Sequence, residues 1–148
     1  FKIDGISRAC SHQLVRHRHA SFTQRSQRYC GENGFEFITP PTIGAGEFEH
    51  DMESIAEWYA EYQTDGAPNE DARYILPNAC VTSMYMSMNL RELIHLCNER
   101  LCKRAQWEIR ELVTQMVALV DDDLKFMLVP KCKSGWIICN SPCKKASE

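Results

Sequence analysis

No apolar run in this sequence is long enough to span a bilayer, and nothing near its start has the basic, apolar and small-residue order of a signal peptide. The expected compartment is the cytoplasm, with no membrane partner. Positive charge is not in surplus either. The formal net charge is -3, which argues against nonspecific binding to nucleic acid and makes any basic cluster a local feature. The eight cysteines include no CxxC pair, and no histidine lies near Cys132, Cys139 and Cys143, so no metal site is expected. A disulfide framework is rejected for a different reason. Cys10, Cys80, Cys97 and Cys102 fall inside apolar periodic segments, where a thiol behaves as a small buried hydrophobe. Internal repeats and low-complexity stretches are absent as well. There is also no initiator methionine: the chain opens with Phe1 inside what reads as a strand, and a fragment lacking its N-terminal part is expected.

What is present is one domain's worth of chain, 148 residues with 44% hydrophobic residues for a core and 25% charged residues for a surface. Its densest feature is Arg16 to Tyr29, RHRHASFTQRSQRY, where four arginines and two histidines fall in fourteen positions and no acid does. Arg16, His17 and Arg18 are consecutive and cannot share one helix face, so they suit a helix end where the chain turns. Arginine forks match phosphate or a polarised carbonyl, while Ser21, Thr23, Ser26 and the Gln24 amide can read neutral ring edges. Two readings follow: a solvated basic turn, or a site for a nucleotide or nucleotide-like cofactor.

The pattern along the chain mixes strands and helices. Phe1 to Gly5 alternates as a half-buried strand. Ser7 can cap a helix from Arg8 to about His17, with Ala9, Leu14 and Val15 as core positions, and Gln13 lies one turn before His17. The Gly31 to Gly34 cluster breaks the chain before a short strand at Phe35 to Thr39, stopped by Pro40 and Pro41. Met52, Ile55, Tyr59 and Tyr62 mark an amphipathic helix over about Phe48 to Thr64, closed by Asp65 and Gly66, whose aromatics are core or subunit contacts. Pro68 opens a short helix that holds Arg73 and ends before Pro77. Met84, Met86 and Met88 alternate with Ser83, Tyr85 and Ser87 as a strand. Asn89 and Glu92 have the form of a capping box for a helix over Leu90 to Cys102. A further helix is expected over about Arg104 to Val120, with Ala105, Ile109, Leu112, Val113, Met116 and Val120 on its apolar face. Asp121 to Asp123 and the tail beyond are expected to be exposed.

RHR, followed after seven residues by Ser26 and then by Arg28 and Tyr29, resembles the signature of the flavin-dependent thymidylate synthases. Later blocks resemble that family in the same order: Asp71 to Pro77 (DARYILP), Asn89 to Arg91 (NLR), Arg100, and Ala105 to Arg110 (AQWEIR). Together they cover Phe1 to about Val120. The resemblance implies an α+β fold, a mainly antiparallel sheet flanked by helices in a single domain over residues 1–130, with a Cys/Lys-rich tail over 131–148. It also implies a missing N-terminal segment that carries a strand, a helix and a histidine contact to the flavin. A similar Cys-rich tail occurs in many members without being part of the active site.

The activity it implies is the reductive methylation of dUMP to dTMP, with methylenetetrahydrofolate as carbon donor and FAD reduced by NADPH. The assembly it implies is a homotetramer with active sites at subunit interfaces. Because the hard chemistry belongs to the cofactors, protein residues are expected mainly to position ligands and stabilise charge. Carried over position by position, Gln13, Arg16, Gln24, Arg25, Ser26, Gln27, Arg28, Arg73 and Arg100 match dUMP contacts. Arg28, Arg73 and Arg100 are expected at its phosphate and polarised carbonyls. Arg16, His17, Arg18, Gln24, Asn89, Arg91 and His95 match FAD contacts. Gln24 stands where many members have glutamate, and His95 where some have asparagine. Ser26 and Arg100 are the candidate catalytic residues, although no base adjoins Ser26 in sequence, so it either attacks the uracil or holds and polarises it. Asn89 reads as a helix cap alone or as a cap whose amide also meets flavin. His12, His19 and His50 have no motif support and read as ordinary surface or satisfied histidines. Two readings from other classes stay open: a noncatalytic flavin- or nucleotide-binding module, and an RNA-binding module that uses the basic turn.

Overall fold

The computed structural model describes residues 1–140 and has the α+β composition expected. Its contacts divide the chain into two compact units. One holds Lys2–His12 with Phe22–Met86, and the other holds chiefly Gln13–Ser21 with the chain from Ser87 onward.

The first unit carries the sheet. Strand β1 (Lys2–Ser7) pairs antiparallel with β3 (Val81–Ser87), and β2 (Ser21–Gln24) borders β3 on its other side, in the order β1-β3-β2. Ile3 pairs with Met84 and Ile6 with Thr82, so two residues of β1 stand opposite one of β3. This bulge explains an oddity of the sequence. Ile3 and Ile6 are three apart, and in a regular strand they would face opposite sides, yet both are buried. Gly5, at φ +75°, takes the left-handed conformation that the extra residue needs. On β3 the period of two holds, with Thr82, Met84 and Met86 buried and Tyr85 exposed.

The Ser7 hydroxyl accepts from Cys10 N–H at 3.0 Å and so caps α1 (Arg8–Leu14) as expected. Helix α1 is shorter than the pattern suggested. It stops at Leu14, where His17 N–H turns back to the Leu14 carbonyl at 3.1 Å, and Val15 is exposed rather than part of the core. Phe35 to Thr39 does not form a strand. Only Phe37 bridges Cys80, flanked by Ile38 N–H to Ala79 and Val81 N–H to Glu36, before the prolines remove further donors. The core beneath it gathers Phe35, Met52 and Cys80, with Phe37 and Phe48 edge to face at 6.0 Å.

Helix α2 (Ala45–Thr64) presents Met52 to that core and buries Tyr59 as well, and Gly66 at φ +92° closes it in the left-handed region. Tyr59 is fully buried, and its hydroxyl accepts from Glu32 N–H and Gln63 Nε2, each at 3.2 Å. It is therefore a core residue of its own unit, while Trp58 and Tyr62 are half exposed. Helix α3 (Asn69–Ala72) follows Pro68 and tightens into a 3₁₀ turn, Arg73–Ile75, before Pro77.

The second unit is helical. Helix α4 (Leu90–Arg100) begins at Asn89, whose Oδ1 accepts from Glu92 N–H at 3.0 Å. Helix α5 (Trp107–Ala118) starts later than expected because Gln106 caps it, its Oε1 accepting from Ile109 N–H at 3.1 Å. Leu93, Leu96 and Cys97 of α4 and Ile109, Val113 and Met116 of α5 are buried. Short helices α6 (Asp122–Lys125) and α7 (Lys131–Ser134) follow. The tail is less solvated than expected: Leu128 and Ser134 are buried, and Lys131 pairs with Glu99 of α4. Cys143 lies outside the described residues.

Candidate functional site

The residues singled out by the motifs fall into two groups, one inside each unit. In the helical unit the centre is His17. Because α1 stops short, its imidazole turns inward and is 5% exposed, with Nδ1 at 3.2 Å from the Glu92 carboxylate. Its Nε2 accepts from Arg100 Nε at 3.1 Å, and a second Arg100 nitrogen donates to the Gln13 carbonyl at 3.2 Å. The structure thus brings Gln13, His17 and Arg100 together, although Arg100 lies 83 residues beyond His17. Burial, and then the Arg100 cation, hold the His17 pKa below its ordinary value against the opposing pull of Glu92. The ring is neutral at pH 7, a donor at Nδ1 and an acceptor at Nε2.

His95, exposed on α4, stands edge-on to His17 with centroids 5.5 Å apart. One ligand atom from each of His17, Glu92 and His95 lies within 4.8 Å of the others, a His₂Glu grouping of the kind that can hold zinc. Here both His17 nitrogens are already engaged, so the hydrogen-bonded chain runs from Arg100 through His17 to Glu92, with His95 in ring contact beside it. Arg16, Arg18 and Arg91 are exposed, with no ion-pair partner among the described residues. Arg91 sits in the first turn of α4, where the helix dipole favours anions, and Asn89 spends its Oδ1 on the cap and keeps its amide N–H groups available. These guanidiniums and the Asn89 amide are donors of the kind an anionic ligand needs.

In the sheet unit, Gln24 on β2 donates from Nε2 to Ser11 Oγ at 3.0 Å and to Thr82 Oγ1 at 3.3 Å; the Ser11 hydroxyl gives its own proton to the Arg8 carbonyl at 2.9 Å and so must accept, which makes the facing amide atom nitrogen. Gln24 and Arg25 line a cavity of about 250 Å³ with Thr23, Ser83 and Tyr85. Arg25 donates to the buried Glu32 carboxylate at 2.9 Å. Burial raises the pKa of Glu32, and Arg25 opposes the shift. Ser26 Oγ accepts from Arg28 N–H at 3.2 Å, and no base bonds it among the described residues. Gln27 is buried, and its amide donates to Cys80 Sγ at 3.6 Å. Arg28 and Arg73, 45 positions apart in sequence, meet on one residue. Arg28 Nε bonds the Glu70 carboxylate, and Arg73 Nε donates to the Glu70 carbonyl at 3.1 Å. The Arg28 guanidinium also lies over the Tyr29 ring, 5.2 Å from its centroid.

The acids Glu32, Glu70 and Glu92 are what sequence reasoning missed. Each partners a motif residue, and only Glu92 carried a signal, as the third residue of a capping box. Cys102, Cys132 and Cys139 line a cavity of about 240 Å³ that also touches Arg100 and Asn98, and both carboxamide atoms of Asn98 are buried with no hydrogen-bond partner among the described residues. His12, His19 and His50 are exposed, as expected.

Comparison with known proteins adds three findings. The family described as "Thymidylate synthase complementing protein" matches residues 1–124. A flavin-dependent thymidylate synthase of Geobacter sulfurreducens is 50% identical over 127 residues, 81% of this chain and 55% of the relative. That of Sulfurisphaera tokodaii is 47% identical over 122 residues, 79% of this chain and 48% of the relative. The chain thus spans about half the length of the curated relatives it matches. The crystal structure of thymidylate synthase X from Helicobacter pylori with FAD and dUMP superposes with a TM-score of 0.76 at 20% identity, covering 89% of this chain and 71% of that one. It shares the fold.

Proposed function

The chain belongs to the thymidylate synthase complementing protein family, and from that premise we propose that it serves the reductive methylation of dUMP to dTMP. FAD, reduced by NADPH, supplies the hydride, and methylenetetrahydrofolate supplies the carbon. The chain's own residues bind and orient. Arg28, Arg73 and Arg100 take the dUMP phosphate and polarised carbonyls, and Gln13, Arg16, Gln24, Arg25, Ser26 and Gln27 complete its contacts. Arg16, His17, Arg18, Gln24, Asn89, Arg91 and His95 hold FAD. Ser26 acts as a positioning group for the uracil ring, because its hydroxyl accepts from a backbone N–H and no base bonds it among the described residues.

The observation that carries this reading is the anchoring of Arg100. His17 and the Gln13 carbonyl hold the guanidinium and still leave donors for a ligand, an arrangement a solvated basic turn has no need of. The working unit is a cytoplasmic homotetramer with sites shared between subunits, to which the half-exposed Trp58 and Tyr62 contribute contact area. Residues 1–130 form the catalytic domain, and the remainder is a tail outside the active site.

An absorbance spectrum of the purified protein, followed by dUMP addition and a dTMP assay with folate and NADPH, tests the proposal. Bound flavin that responds to dUMP and yields dTMP supports it. A yellow protein that forms no dTMP identifies a noncatalytic binding module. Salt-dependent RNA binding indifferent to dUMP identifies the basic-turn alternative. Light scattering that finds a competent monomer would rule out shared sites.

A further inference from the structure

We propose that Glu92 is a positioning residue whose buried carboxylate fixes the tautomer and orientation of His17 and, through His17, aims the Arg100 guanidinium at the nucleotide. The proposal rests on the reading of Arg100 as a dUMP contact. It begins with the cap of α4. In a full capping box, the third residue's carboxylate would reach back to the Asn89 N–H. Here only half of the box forms. Asn89 Oδ1 takes the Glu92 N–H, and the Glu92 carboxylate instead meets His17 Nδ1, with side chains 6% and 4% exposed respectively.

An ionised carboxylate can only accept, so Nδ1 must carry the proton. Nε2 then offers the lone pair that receives Arg100 Nε–H at 3.1 Å. The opposite tautomer would set Nε2–H against Arg100 Nε–H, donor facing donor, and would leave the Nδ1 lone pair against the carboxylate. Glu92 therefore decides whether Arg100 has a partner at all. Eight residues separate Glu92 from Arg100, about 12 Å along the helix axis, and His17 bridges the gap between two turns of one rigid element. The chain Arg⁺, neutral His, Glu⁻ also carries no net charge, which suits its burial.

The test combines ¹⁵N spectra of the His17 imidazole with dUMP titration of the flavin-loaded protein, for the parent, Glu92→Gln and Glu92→Leu. The parent should show His17 as a single Nδ1–H tautomer. Glu92→Gln retains an acceptor for Nδ1–H and should keep that spectrum, with the dUMP Kd within about threefold. Glu92→Leu should lose the single tautomer and raise the dUMP Kd by about tenfold. A parent with mixed tautomers or an Nε2–H tautomer overturns the proposal, whether or not the leucine variant folds. So does Glu92→Leu with the parent's spectrum and Kd. A parent that shows the Nδ1–H tautomer but binds no dUMP overturns the nucleotide reading of Arg100, and the aiming role with it. The spectra keep that failure distinct from failure of the Glu92–His17 link.

Discussion

Replacing Arg100 by alanine isolates the ligand-directed part of its guanidinium, because the structure shows how much of the side chain is already committed. Five N–H donors form the arginine fork. One at Nε is spent on His17 and one on the Gln13 carbonyl, which leaves the others for a ligand. A hydrogen bond from a charged group is worth about 1.5–3 kcal/mol, so loss of one lowers dUMP affinity roughly tenfold to a hundredfold. The same substitution strips two part-buried acceptors of their donor, at about 1 kcal/mol each. That total is small against a typical stability of about 5–15 kcal/mol, so the variant stays folded. Arg100→Lys keeps the charge but not the planar fork, and it should restore little of the affinity. Calorimetric titration of dUMP and FAD into the same preparation, with a thermal melt as the folding check, decides the matter. The expected result is a large loss for dUMP, with FAD affinity within about threefold of the parent. Equal losses for both ligands in a folded variant, or no loss for dUMP, would refute the assignment.

No cysteine nucleophile is expected. Cys10 is fully buried, and burial pushes Cys80 up to about 11 and Cys97 up to about 12, away from the thiolate a nucleophile needs. Turnover of Cys10→Ala and Cys30→Ala, alone or combined, should stay within about threefold of the parent. A loss on the order of a thousandfold, about 4 kcal/mol of barrier, with ligands still bound would make that thiol catalytic. For His17, whose native pKa lies below the ordinary 6.5, the unfolded chain takes up a proton that the native chain refuses between 6.5 and the lowered value. Stability therefore falls as pH drops through that window and is unaffected by this group above it. Urea midpoints should show a shallower acid decline in His17→Asn, and identical pH profiles for parent and variant would contradict the assignment. Tyr59→Phe removes the hydroxyl that accepts the buried Glu32 N–H, and should cost about 1–3 kcal/mol in denaturant unfolding. An unchanged midpoint would mean that water satisfies that group instead.

Local chemistry made much of this protein legible before any fold was known. Ser7, Asn89 and the alternation along β3 each act over a few residues, through caps and pleats, and each is found where the pattern placed it. Errors cluster where a local rule met a competitor several positions or a whole segment away. Residues Leu14 to His17 have the pattern of a helix, but the chain turns there and His17 bonds to Glu92, 75 residues distant. Helix α5 starts at Trp107 because a glutamine, a residue outside the usual set of helix caps, takes the Ile109 amide. The pattern at Phe35 to Thr39 suits a strand, yet pairing depends on an available neighbour, and only Cys80 provides one.

By itself, the sequence determined the α+β class, the family, the caps at Ser7 and Asn89 and the set of arginines available for an anion, because composition, spacing and short-range hydrogen bonding are properties of the chain alone. Tertiary structure alone decided which acid each motif residue meets: Arg25 with Glu32, Arg28 with Glu70, and His17 with Glu92. Charge complementarity cannot choose among twenty acidic residues. Only the packing that brings remote segments within about 3 Å makes one of them the partner, and burial then sets what that pairing does to a proton.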